Sequence, residues 1–141
     1  MKRLAAITAT AFLLFPGVVF ARGGENHQHI HKGNGQMAKL HKMMPMYAQA
    51  QAKINAALEK RDAATVAKET RKILATIPDL KKAKPHKNLQ ELKAMRRIAS
   101  AFEEDVRRTA SLVKKSDFTG AGVAFENAQR HCNECHVKFR N

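Results

Sequence analysis

The sequence predicts an all-α protein, an antiparallel up-down-up-down four-helix bundle. Apolar residues recur at alternating spacings of three and four in four separate stretches, the signature of helices with one buried face. The connections between these stretches are short, which sets neighbouring helices antiparallel. Nowhere do apolar and polar residues alternate with the period of two that a half-buried strand requires. A chain of 141 residues is of single-domain size.

Residues 1–21 read as a signal peptide. Lys2 and Arg3 give a charged start, Leu4 to Phe15 an apolar core, Pro16-Gly17 a break, and Val19-Phe20-Ala21 a small-residue cleavage site. The apolar core is short for a membrane span, and no other segment is long and apolar enough for one. Export to the periplasm is the expectation. Residues 22–36 are polar, glycine-rich and aperiodic, and are expected to form a flexible His-rich tail. Within it, His27, His29 and His31 alternate and, if extended, would present three imidazoles on one side as a weak grip for Cu, Ni or Zn; incidental histidines in a disordered tail are the simpler reading.

The domain proper is expected over 37–141. Its first helix covers 37–60, with Leu40, Met43 or Met44, Tyr47, Ala50, Ile54 and Leu58 on one face. Pro45 either begins the main helix or kinks a longer one. Asp62 is a good N-cap for a second helix whose stripe is Val66, Thr70, Ile73 and Ile77, and Pro78-Asp79 is expected to end it. Residues 78–87, with two prolines and four lysines, read as a connection. The third helix is expected from Asn88, as cap, to Lys115. Ser116-Asp117 is then a turn and cap for a fourth, whose stripe is Phe118, Ala121, Phe125, Ala128, Cys132, Cys135 and Phe139.

That last stripe contains Cys132-Asn133-Glu134-Cys135-His136, and the chain has no other cysteines. C-x-x-C-H is the attachment signature of c-type haem: two thiols add to the vinyl groups and the adjacent imidazole binds the iron. On a helix, positions i, i+3 and i+4 share one face, so a single helix can hold the macrocycle and its metal. A redox dithiol would want a βαβ setting, and a zinc site would want a second cysteine pair; neither is present. The expected cofactor is therefore one covalently attached haem c with its iron, in the bundle beside the C-terminal helix, with His136 as proximal ligand.

The run from Ala124-Phe125 through the motif to Val137-Lys138-Phe139-Arg140 resembles the last helix of the cytochrome c prime superfamily, which ends in C-x-x-C-H-x-x-[YF]-R. Leu58 to Val66 also resembles the first helix–helix turn of that superfamily. The resemblance implies that Phe139 and Arg140 belong to the haem environment. It also places the residue above the iron on the first helix, near Met44, with Met43, Met37, Met46 and His41 as neighbours in the count. A Met there belongs to the low-spin, electron-carrying branch. An apolar residue such as Leu40 belongs to the high-spin branch, whose open site binds small gases such as NO or CO. Homodimers through the first helix are frequent in the superfamily, and Pro45 would disturb that packing.

Twenty-six Lys and Arg face twelve Asp and Glu, for a net charge of +14. In an exported protein this favours acidic redox partner proteins or an anionic surface over nucleic acid. The leading expectation is a periplasmic mono-haem cytochrome for electron transfer, not an enzyme. A gas-binding protein is the first alternative, and a His/Met-rich metal-binding protein the second.

Overall fold

The structure, a computed structural model, describes residues 35–140. The expected signal peptide and the histidines at 27, 29 and 31 lie outside the described residues. Four α-helices account for most of the chain: α1 (Gly35–Glu59), α2 (Ala63–Lys82), α3 (Leu92–Lys114) and α4 (Phe118–Phe139), with one turn of 3-10 helix at Leu89–Glu91 before α3. No strand occurs among the described residues. Consecutive helices pack on one another, and α1 also meets α4. The all-α, four-helix expectation holds, and among the described residues no helix is long and apolar enough to cross a membrane.

Two of the three connections are the same device. At Lys60-Arg61-Asp62, Arg61 takes a left-handed φ of 53°, its N–H donates to Leu58 O, and the Asp62 N–H reaches back to Ala57 O (2.8 Å). At Lys115-Ser116-Asp117, Ser116 has φ 60°, and the Asp117 N–H reaches back to Leu112 O (3.0 Å). This pattern satisfies the last carbonyls of the ending helix. The following aspartate then caps the next one: Asp62 accepts from Thr65 N (3.0 Å) and Asp117 from Gly120 N (2.8 Å). One residue thus closes one helix and opens another.

The third connection departs from expectation. Pro78 does not end α2; it sits on the exposed side, and the helix runs on to Lys82 because Leu80 and Ala83 beyond it are buried. A proline removes one hydrogen bond, and the burial of those side chains offsets the loss. Pro45 likewise lies inside a continuous α1, which begins at Gly35 rather than 37. Asn88 is not an ordinary helix cap. It is left-handed (φ 56°), makes no side-chain cap, and sends its amide across to Lys138 O at the end of α4 (2.7 Å).

The main core gathers Ile54, Val66, Ile73, Ile77, Val106 and Phe125, none more than 1% exposed. Buried Thr70 and Thr109 donate to the carbonyls of Val66 (2.7 Å) and Asp105 (2.8 Å), so neither hydroxyl is left unpaired. A second cluster, Ala83, Met95, Ile98 and Phe139, packs where the long connection meets the end of α4. Cross-helix pairs fix the register: Lys39 with Asp79, Tyr47 with Thr76, Gln51 with Cys132, Asn55 with Gln129, Asp105 with His131, Glu91 with Lys138.

Candidate functional site

Asp117 starts α4, and the helix then runs unbroken through Phe139. Cys132, Cys135 and His136 therefore stand on consecutive turns of one rigid helix, at i, i+3 and i+4. All three line a cavity of about 820 Å³, within the range of small-molecule and cofactor sites. Both cysteines are free thiols and half-buried.

The facing wall comes from α1, where Leu40, His41, Met44, Tyr47 and Gln51 line the same space. Helix α3 supplies Met95, Ile98, Ala99 and Phe102, and the connection between α2 and α3 supplies Pro85 and His86. Tyr47 is held from both sides: its ring tilts 52° against Phe102 at 5.7 Å, and its hydroxyl meets Thr76 Oγ1 at 2.8 Å. Burial pushes the Tyr47 phenol up to about 12 and outweighs the Thr76 bond.

The same desolvation governs the thiols. Burial pushes the Cys132 thiol up to about 11, although Gln51 Nε2 donates to its Sγ at 3.3 Å. Cys135 is raised too, by burial first and then by the Glu134 carboxylate. His136 is lowered, by burial first and then by the Arg140 guanidinium, so its imidazole is neutral at pH 7 with a lone pair to give. Two neutral thiols, one neutral imidazole and mostly apolar walls suit an apolar macrocycle with a metal at its centre. They suit a bare cation poorly, and among the described residues no three His, Cys, Asp or Glu side chains converge as a metal site.

The expected neighbours divide cleanly. Phe139 is buried against Met95 and Ile98 and lines the cavity. Arg140 is exposed, caps α4 through its N–H to His136 O (3.0 Å), and reaches the same space. Of the first-helix candidates, Met44, Leu40 and His41 line the cavity. Met43 is 6% exposed and belongs to the main core, and Met46 packs against that core. The side chain of Met37 lies outside the described residues.

Several lining residues were not singled out from the sequence, among them Gln51, His131 and His86. Gln51 sits seven positions after Met44, two turns along one face of α1, so helical spacing carried a signal. His131, directly before the motif, contacts Asp105 Oδ2 (3.2 Å) and Glu134 Oε2 (3.6 Å). His86 lies in the connection and had no periodicity to mark it. Compared with known proteins, the chain matches no family model, no curated protein and no solved structure.

Proposed function

We propose that this protein is a mono-haem c-type cytochrome of the periplasm that carries electrons. Haem c would be attached through Cys132 and Cys135, with the iron between His136 and Met44. One observation carries the reading: both thiols and the neutral imidazole stand on one wall of a cavity of about 820 Å³, and the Met44 thioether lines that same cavity from α1. The cross-helix pairs run in opposite order along α1 and α2 (Lys39 with Asp79, Tyr47 with Thr76), α1 and α4 (Gln51 with Cys132, Asn55 with Gln129) and α3 and α4 (Glu91 with Lys138, Asp105 with His131), which supports an antiparallel up-down-up-down bundle around the haem.

Bound haem supplies a one-electron iron couple. The protein's part is to hold it in one geometry and keep water away. His136 is fixed by a helix capped at Arg140 N, and the Met44 thioether needs no proton to donate. A thioether opposite an imidazole raises the potential relative to two imidazoles. Phe102, Phe139 and Ile98 exclude solvent from the interior. The basic surface favours acidic redox partners.

Leu40 lines the cavity from the same wall, which keeps a second reading in view: an open sixth site that binds NO or CO. The optical spectrum of the haem-loaded protein, with and without CO, separates the two. Electron transfer predicts a low-spin ferric spectrum with the weak far-red band of iron–Met ligation, a ferrous form unmoved by CO, and loss of that band in Met44→Ala but not Met43→Ala. A high-spin spectrum with ready CO binding overturns the Met44 assignment.

A further inference from the structure

The bundle end that holds the C-terminus of α4 is rich in cations, and two of its acidic side chains are paired with lysines. Asp79 pairs with Lys39 (3.1 Å) and Glu91 with Lys138. Lys42, Lys84, Lys87 and Arg140 are exposed there and make no ion pair among the described residues. Two imidazoles from different elements stand in this setting, His41 on α1 and His86 in the connection. Their ring centroids are 5.6 Å apart and their planes 20° apart. Both line the cavity, and neither has a hydrogen-bond partner among the described residues. Such a surplus of positive charge and ring donors repels a second cation and suits an anion.

The proposed cofactor brings that anion. Haem carries its vinyl groups and its two propionates on opposite edges. Both thiols are on α4, so the vinyl edge belongs against α4 and the carboxylate edge away from it. His41 and His86 are exposed, so they stand where the cavity opens to solvent, and they come from α1 and from the connection between α2 and α3 rather than from α4. We propose that His41 and His86 together seat the haem propionates, donating from their ring nitrogens to the carboxylates at the cavity mouth. This rests on the haem reading above and adds to it the residues that set how the macrocycle is turned in its pocket. It also gives His41 a part distinct from iron ligation, which is left to Met44.

The test is resonance Raman spectroscopy of the full-length, haem-loaded protein, reading the propionate-bending band, whose frequency follows hydrogen bonding to the carboxylates. His41→Leu and His86→Leu are each expected to shift the band, and the double variant to shift it further. His41→Gln and His86→Gln, which keep a donor, should restore part of the wild-type frequency. His131→Leu, which removes a cavity-lining histidine from α4, should leave the band in place. A wild-type band in the double Leu variant overturns the proposal, including the case in which thermal stability falls, since ring packing alone would then explain the pair. If the wild-type protein carries no covalent haem, shown by an absent pyridine haemochrome and an unmodified intact mass, both the seat and the cytochrome reading fall. Covalent haem with an unmoved band defeats only the seat.

Discussion

The two ends of the helical bundle are built on different economies. At one end, two three-residue turns close and open helices with a shared set of hydrogen bonds, and the neighbouring interior is filled by Val66, Val106 and Phe125. At the other, a longer connection with Pro85, His86 and Asn88 spans between helices, and side chains that elsewhere would meet one another instead border a cavity. Leu40, Met44 and Cys132 are half-buried there rather than buried. Apolar walls without a filling lose dispersion contacts on one side. The hollow end therefore holds less packing of its own than the filled end.

The sharpest way to break this contrast is to remove the means of attachment. Cys132→Ser with Cys135→Ser is expected to abolish covalent haem entirely, read by intact mass. The double variant should keep its helical circular dichroism, because the filled end does not use those thiols.

Next come deletions within the haem-free chain. Phe125→Ala, at 1% exposure, should cost about 3–5 kcal/mol in denaturant unfolding. Met44→Ala, at the border of the cavity, should cost less than about 1 kcal/mol, because it enlarges a space that already exists. Equal losses would mean that the hollow is closed in solution.

A titration probes the boundary between the two regions. Tyr47 is the chain's one tyrosine, so ultraviolet absorbance reports it alone. Its phenol is expected to ionise near 12 rather than 10. Since the raised value belongs to the folded state, the unfolded chain releases its proton first. The resulting stability is complete below pH 10 and lost as pH climbs from 10 towards 12. Ionisation at the ordinary value would show that water reaches the phenol through the cavity.

The smallest effects compare three left-handed residues. Arg61→Gly and Ser116→Gly should each raise stability by up to about 1 kcal/mol, since glycine adopts that conformation without strain. Asn88→Gly relieves the same strain but deletes the bond to Lys138 O, and should lower stability by about 0.5–1 kcal/mol net. Opposite signs in unfolding free energy distinguish a residue that only turns the chain from one that fastens it.

Much of this was legible from local pattern. The four helices followed from apolar spacing, and the caps at Asp62 and Asp117 from residue type, because a cap is satisfied within its own next turn. The motif residues fell on one helix face because their spacing is helical. What escaped depended on distant contacts. Pro78 passes through α2 because Leu80 and Ala83 find burial elsewhere, and Asn88 serves a carbonyl fifty positions away. His86 joins the cavity through a connection whose path no periodicity records. Among the clustered methionines, sequence spacing left Met43 and Met44 adjacent candidates, and only the rotation of α1 separates the core-facing one from the cavity-facing one.

The bond from Asn88 to Lys138 O has a consequence for the order of assembly. It joins the middle of the chain to the end of the last helix, so nothing made earlier can form it. As the chain emerges from its N-terminal side, α1, α2 and α3 come first and can bury Ile73 and Val106 among themselves. The pocket wall that carries Cys132, Cys135 and His136 arrives afterwards, and the clasp closes only once that wall has docked. Until then Cys132 and Cys135 lack the neighbours that half-bury them in the finished bundle, and both thiols are open to reagents that the completed fold partly screens from them.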